Sequence, residues 1–540
     1  MAAALFWALA VNTPFLRALL DGRDLASAGT LSLAAGLVAA LWALHALLLG
    51  ALAGRRTVKP LVAVLTVVAA GASWFSGRYG AVLDPAMMRN VLHTDVPEAR
   101  ELIGWPLLLH LTLFAAVPLA VLSRVDLRPR TGWKATLAAR LALVLVAAAV
   151  LVVAVMSVYS PLSSVLRVQK DVRYRITPAN VVWSLGSAAA GELRGAAQPR
   201  QPLGLDARLG PNLAGRPKPQ VLVLVVGETA RAANWGLAGY ARDTTPRLRA
   251  LQVVDFGSVQ ACGTHTEASV PCLFAPVGRR DYDEARIRGQ ESLLHLLARA
   301  GVSVHWRDNQ SGCKGVCDGL PGDRPSATTS PGLCEGDRCL DEALVSDLDA
   351  RLQWLAGGGG SAGTQVWVLH MLGNHGPAYF RRYPPGFAAF TPECRDEDLS
   401  RCAPQAIANA YDNAVRYTDH VLARAIEQLS ARADTVDSAL LYVSDHGESL
   451  GELGLYLHGL PYALAPDVQK QVPMVFWASS GFEAGAGLPS GCLDRTLRTR
   501  ARAGGVSHDH VFHTVLGLLD VSTAVHEPAM DMVAPCRAQT

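Results

Sequence analysis

"VLVLVVGETAR", Val221–Arg231, decides how this 540-residue chain is read. Six apolar residues, Val221 to Val226, follow one another without alternating with polar ones. A strand with one wet face would alternate, so the run predicts a strand buried on both faces, as in a parallel sheet covered by helices. It stops at Gly227, and Glu228 and Thr229 follow at once. The design recurs twice. "ALLYVSDHGES" carries an apolar strand, Ala439 to Val443, and then Asp445 and His446. "VWVLHMLGNHGPAY" carries a strand near Val366 to Met371 and then His375. Ligands of open α/β sheets bind beyond the carboxyl ends of the strands. Three strands therefore aim Glu228, Asp445, His446 and His375 at one crevice. His458, in "GLYLHGLP", lies twelve residues past His446, close enough to join them by a loop.

Carboxylate oxygens with imidazole nitrogens form a donor set that zinc accepts. Each of these residues alone is an ordinary turn or capping residue. Four of them directly after apolar strands point to a metal centre. A partner for such a metal stands in "CGTHTEASVPC", Cys262 to Cys272. Threonine is a weak nucleophile at neutral pH, and coordination to a metal activates it as it activates water. "THTEAS" also reads as the start of a helix, where backbone N–H groups favour a phosphate. Spacing alone does not choose between Thr264 and Thr266.

All ten cysteines lie after Asp255. Thiols confined to one half of a chain suit disulfides in an oxidising compartment. Taken as close neighbours, they pair Cys262 with Cys272, Cys313 with Cys317, Cys334 with Cys339, Cys394 with Cys402, and Cys492 with Cys536.

The first part of the chain is of another kind. Thr30 to Leu52 has no formal charge over about the 20 residues that a bilayer core requires. Leu61 to Phe75, Ile103 to Leu122 and Leu141 to Val158 are similar, and Ala2 to Leu16 is a shorter first span whose start reads as clipped. That makes five spans. Arg55, Arg56 and Lys59 follow the second, and Arg124, Arg128, Arg130 and Lys134 follow the fourth. The positive-inside rule makes both loops cytoplasmic and exports everything after the fifth span. The cysteines indicate the same side independently.

The expected organisation is a transmembrane domain over 1–158 with an outward loop over 76–102, a bridging segment and linker over 159–219, and an exported catalytic domain over 220–540. Ser187 to Gln220, rich in Ala, Gly, Pro and Arg, has poor prospects for a core. A net charge of +3 offers no basic stripe for nucleic acid.

Taken together, "VVGETAR", "CGTHTEASVPC", "RDNQSGCKGV", "GNHGPAYFRRYP" and "SDHGESLGELGLYLHG" resemble the signature blocks of the lipid A phosphoethanolamine transferases, a family that includes the colistin-resistance enzymes. "RYGAVLDPAMMRNVLHTDVPEA" is similar to that family's outward loop between spans three and four. The resemblance covers nearly the whole chain. It implies an α-helical membrane domain joined to an α/β catalytic domain of alkaline-phosphatase/sulfatase type, in a monomeric multi-pass protein of the bacterial inner membrane whose catalytic domain is periplasmic. It implies that Glu228, Thr266, Asp445 and His446 hold the catalytic Zn2+, with Thr266 as nucleophile. His375 and His458 would bind substrate phosphate or a second zinc and carry protons. Gln310, Ser311, Lys314 and Glu448 match positions near the ethanolamine phosphate, and Asn90, Thr94 and Glu98 match loop residues that handle lipid. Two departures stand out: the start lacks the family's cytoplasmic lead-in, and Gln310 stands where asparagine is common.

The reaction so implied moves phosphoethanolamine from phosphatidylethanolamine to a lipid A phosphate through a zinc-activated threonine and a covalent phosphothreonine-type intermediate. Lower surface charge and lower sensitivity to polymyxins would follow. Three other readings compete. One is transfer of phosphoethanolamine or glycerophosphate to a core sugar or periplasmic glycan. Another is sulfatase-type hydrolysis, which "SVPCLF" does not support because it lacks the Cys/Ser-x-Pro-x-Arg pattern. The last is a lipid-binding protein without catalysis, which the presence of all four metal donors argues against.

Overall fold

The computed structural model describes residues 1–540 except 55, 95, 128–131, 160, 163–169, 197–198, 214–217, 337, 360–362 and 538–540. Of the basic residues used to orient the spans, Arg55, Arg128 and Arg130 lie outside the described residues. The chain divides into two units: Met1–Leu92 with Ile103–Leu193, and His93–Leu102 with Arg194–Thr540.

In the first unit, four described helices are long and apolar enough to cross a membrane: Ala28–Leu52, Val58–Tyr79, Trp105–Arg124 and Trp133–Ser157. Ala2–Val11 and Thr13–Leu20, bent by 54°, add a fifth if the pair is one span. The break falls at buried Asn12, whose amide donates to the carbonyls of Trp7 (2.8 Å) and Thr177 (2.6 Å) and accepts from the Thr177 N–H (2.9 Å). In an apolar setting, such a side chain persists only when its polar atoms are paired.

Helices Ala28–Leu52 and Trp133–Ser157 approach closely through small residues. A Cβ at Gly36 would sit 2.4 Å from Val158 Cγ1. Trp105 and Trp133 each begin a helix and are 74% and 71% exposed, the pattern of aromatic residues at a membrane–water boundary. The last span begins earlier than the hydropathy predicts and takes in Lys134 and Arg140. Arg140 donates to the carbonyls of Gly50 (2.6 Å) and Ala51 (2.8 Å), which are terminal groups that helix Ala28–Leu52 cannot satisfy itself.

The second unit is built on a seven-stranded sheet. Its strands in chain order are β1 (Gln220–Gly227), β2 (Val254–Asp255), β3 (Ser303–Asp308), β4 (Gly322–Asp323), β5 (Thr364–His370), β6 (Asp437–Ser444) and β7 (Met474–Ala478). The order across the sheet is β2-β7-β6-β1-β5-β3-β4. The five strands from β6 to β4 run parallel, and the β6–β7 and β7–β2 pairs are antiparallel. Both faces are covered, as the unbroken apolar run predicts. Leu222, Leu224 and Val226 of β1 pack on one side with Val270, Leu293, Leu297 and Phe512. Val221, Val223 and Val225 pack on the other with Leu352, Ile407, Tyr411 and Val415. Fully burying each such side chain contributes roughly 1.5–3 kcal/mol. The ten cysteines form five disulfides: 262–272, 313–317, 334–339, 394–402 and 492–536.

Two segments depart from the sequence reading. A helix runs over Ala179–Ala196, into the stretch read as linker, and Leu203 and Ala207 beyond it are buried in the core of the second unit. Isolated apolar residues anchor this segment, and they leave no periodic signal. His93–Leu102, grouped above with the membrane domain, belongs by its contacts to the second unit. Ion pairs through His93, Glu98 and Glu101 join it there.

Candidate active site

The parallel register sets the donors side by side. Ser444 pairs with Gly227, and His370 with Val226, so β6, β1 and β5 end together. Glu228 follows β1, Asp445 and His446 follow β6, and His375 lies in the loop after β5. That loop approaches closely: the Asn374 N–H donates to the Glu228 carbonyl (3.0 Å). Gly373 must be glycine here. Its φ is +55°, and a Cβ would fall 2.3 Å from the Glu228 carbonyl oxygen.

Thr266 opens the helix Thr266–Leu273 and is buried. Its hydroxyl lies 3.1 and 3.3 Å from the two Glu228 carboxylate oxygens and 3.5 Å from His446 Nε2. His446 Nε2 is 3.2 Å from Glu228 Oε1 and 3.4 Å from Asp445 Oδ2. The structure thereby separates the two threonines that spacing left open. Thr264 turns away and donates to the Leu460 carbonyl (2.6 Å).

These distances fit a metal. Donors about 2.0–2.1 Å from a tetrahedral ion stand about 3.3–3.4 Å from each other. Glu228, Asp445 and His446 offer atoms mutually within 4.8 Å, and all three side chains are fully buried. His446 Nδ1 faces the Gly447 carbonyl at 2.9 Å, and a carbonyl only accepts, so Nδ1 carries a proton and Nε2 is left as the ligand atom. Among the described residues, Asp445 Oδ2 accepts no hydrogen bond.

The charge balance agrees. Burial, then the neighbouring Glu228, pushes Asp445 up to about 7. Burial works against protonated His446, yet Asp445 and Glu228 outweigh it and raise this residue to about 10. Glu228 is held well below the usual carboxylate range, because its bond and charge interaction with His446 outweigh its burial. Two buried carboxylates thus share one cation, a task suited to a divalent ion.

A histidine rim adjoins this quartet. The ring centroid of His458 is 4.4 Å from that of His446 and 5.1 Å from that of His375. His458 Nδ1 lies 3.1 Å from Glu448 Oε1, and His375 Nε2 lies 3.2 Å from Glu98 Oε1. His375 Nδ1 donates to the Gly376 carbonyl (2.8 Å). With acceptors at both nitrogens, His375 is held as an imidazolium; Glu98 outweighs the burial that opposes its charge and raises its pKa. Burial, joined by His446 and His375, drives His458 well the other way. Burial pushes Glu448 up to about 8.

Gln310 Nε2 donates to Glu228 Oε2 (3.1 Å), a bond that asks for an amide and is met by glutamine. Lys314 Nζ donates to Ser311 Oγ (2.6 Å). A cavity of about 60 Å³ opens among Glu98, Gln310, Ser311, His375 and Arg382. Thr94 belongs to the same unit, whereas Asn90 lies in helix Pro85–His93, in the first unit.

Sequence reasoning missed several contributors. Thr229 adopts φ +59°, a costly conformation for a β-branched residue. In it, the hydroxyl donates to Glu228 Oε1 (2.6 Å) and the N–H to Asp445 Oδ1 (3.2 Å). Buried Asp341 accepts from the N–H groups of Leu372 and Gly373 (2.8 and 2.7 Å) and so holds the His375 loop. Glu101 pairs with Arg338 and with fully buried Arg382, whose Nε donates to the His375 carbonyl (2.7 Å). Glu267, next to Thr266 and 1% exposed, meets Arg288 (3.0 Å) and His93 (3.1 Å). The GETAR block signals Thr229. The others carry no local signal, because their partners are distant in sequence.

Comparison with known proteins agrees with this geometry. Residues 220–521 match the sulfatase family model, and residues 41–193 match the model for phosphoethanolamine transferase EptA/EptB. Phosphoethanolamine transferase EptA of Escherichia coli K12 is 36% identical over 482 residues, covering 89% of this chain and 86% of that protein. Phosphatidylethanolamine transferase Mcr-1 of Escherichia coli is 37% identical over 478 residues, covering 87% and 84%. The structure of the integral membrane lipooligosaccharide phosphoethanolamine transferase A of Neisseria meningitidis superposes with a TM-score of 0.90 at 34% identity, covering 99% of this chain and 97% of that one. The second unit is therefore a sulfatase/alkaline-phosphatase-like catalytic domain joined to a helical membrane domain, and the protein is a transferase of phosphoethanolamine. On these relatives, the chain belongs to the lipid A phosphoethanolamine transferase family.

Proposed function

We propose that the chain transfers phosphoethanolamine from phosphatidylethanolamine to a lipid A phosphate in two displacements at Thr266, from the outer side of the bacterial inner membrane. The observation that carries this reading is the Thr266 hydroxyl, within 3.1–3.5 Å of Glu228 and His446 at the first turn of a helix.

Glu228, Asp445, His446 and Thr266 would hold Zn2+, which suits mixed oxygen and nitrogen donors. When bound, the ion lowers the pKa of a coordinated hydroxyl and offsets charge on phosphoryl oxygens. Thr266 Oγ1 attacks the donor phosphorus, and the bond from phosphorus to the diacylglycerol oxygen breaks. His375 is poised to give that oxygen a proton, being held as the imidazolium by Glu98 and the Gly376 carbonyl. An acceptor phosphate oxygen then attacks the phosphothreonine-type adduct, the bond from phosphorus to Thr266 Oγ1 breaks, and that oxygen regains from solvent the proton it gave to solvent before the first displacement. Neutral His458, braced by Glu448, is placed to take up the acceptor's proton. Gln310, bonded to the Glu228 that faces Thr266, and Ser311 with its bonded Lys314 would bind the transferring group's oxygens; Asn90, Thr94 and Glu98 would handle the lipid portion.

Attaching ethanolamine converts a phosphate monoester into a zwitterionic diester. The weaker negative field would attract polymyxins less strongly. The lipid A acceptor follows from the likeness of the sequence blocks to those of the family, beside a relative named for lipooligosaccharide.

Turnover of a fluorescent phosphatidylethanolamine by purified protein tests the reading. Thr266→Ala is expected to abolish diacylglycerol release, and persistent turnover would refute the nucleophile assignment. Mass spectrometry of lipid A from cells expressing the chain tests the acceptor; an unmodified lipid A beside a modified glycan would favour the other acceptor class.

A further inference from the structure

The loop that carries Thr266 and the strand end that carries Asp445 and His446 come from segments about 180 residues apart. One buried side chain bridges them. His508, 1% exposed, precedes helix Asp509–Leu518. Its Nδ1 receives the N–H of Cys262 (3.1 Å), and its Nε2 faces the carbonyl of Ser444 (2.9 Å). An amide only donates and a carbonyl only accepts, so one neutral tautomer satisfies both ends: Nδ1 bare, Nε2 protonated. Burial keeps the ring neutral by lowering its pKa to about 4. The bridge is anchored in turn, since the His508 N–H donates to the Gln260 carbonyl (2.9 Å).

Cys262 is the first residue of the disulfide loop that carries Thr266. Ser444 is the last residue of β6, directly before Asp445. A second tie runs parallel: Ser269 Oγ donates to the Asp445 carbonyl (2.5 Å). The geometry points to His508 as a positioning residue that fixes the separation between the Thr266 hydroxyl and the Asp445–His446 pair through two backbone hydrogen bonds.

This inference rests on the transfer reaction proposed above. Its test uses full-length protein and three variants, each bridging differently. His508→Asn keeps an acceptor near Cys262 and loses the donor to Ser444. His508→Gln keeps a donor near Ser444 and loses the acceptor. His508→Leu loses both. We expect kcat for diacylglycerol release to fall about tenfold in the amide variants and about a hundredfold in His508→Leu, with KM for phosphatidylethanolamine within about twofold. Hydrogen exchange of the peptide covering Cys262, read on metal-free protein, is expected to speed up in the Gln and Leu variants and not in Asn.

Equal acceleration in all three variants, or unchanged kcat in the folded amide variants, would overturn the positioning role. If the Leu variant does not fold, the Asn–Gln pair decides. Thr266→Ala, run in parallel, separates the two levels: its turnover tests the transfer reaction, whereas the exchange pattern tests the bridge without any turnover.

Discussion

The donor quartet and the histidine rim lie side by side but are held by different means. Glu228, Asp445 and His446 follow strand ends directly, and several short bonds fix them: the Asp445 N–H to the Gly227 carbonyl (2.9 Å), and the Thr229 hydroxyl and the Gln310 side-chain amide to the Glu228 carboxylate. His375 and His458 sit on loops and are braced mainly by single carboxylates, Glu98 and Glu448. A site that must hold charge in one place is built on the sheet. The site proposed to pass protons and admit lipid head groups is built on loops. The rim also depends on His93–Leu102, the segment that joins the catalytic unit by ion pairs through His93, Glu98 and Glu101.

Four substitutions would break or sharpen this contrast. The largest effect is expected from the quartet. Asp445→Asn and His446→Ala should each strip the metal and lower kcat by at least about a thousandfold, checked by metal analysis beside the lipid assay. A variant that keeps both metal and activity would remove the basis for treating the quartet as one unit. Next comes the rim: His375→Ala should cost about 10²–10⁴ in kcat while leaving the quartet's metal in place. Loss of that metal would show that rim and quartet are not separable.

The smallest effect on catalysis is expected at Glu101→Gln, which leaves the Arg382 guanidinium buried without its carboxylate. Breaking a buried pair from one side costs about 3–5 kcal/mol. Denaturant unfolding should therefore register more than activity does, and an unchanged midpoint would mean that Arg338 and Arg382 find other partners.

Glu228, Asp445 and His446 can be picked out as candidates in the sequence because doubly buried strands leave unbroken apolar runs, and the polar residues just after each run fall at the crevice. His508 cannot: both its partners are backbone groups, 246 and 64 positions away, and backbone groups leave no mark in a sequence. Thr264 and Thr266 differ by two positions and by nothing in composition; only the helix start, which turns one hydroxyl to Glu228 and the other to Leu460, distinguishes them. The segment around Leu203 has the sequence of a linker because a few buried side chains suffice to dock it, without periodicity.

The central claim is that phosphorus passes through the oxygen of Thr266. Rapid quenching of the metal-loaded protein with phosphatidylethanolamine and no acceptor, followed by peptide mass spectrometry, tests it directly. The account predicts phosphoethanolamine on residue 266 in near-stoichiometric amount, discharged when lipid A is added. An adduct on Thr264 or elsewhere, or full transfer with no adduct at any time, would contradict it.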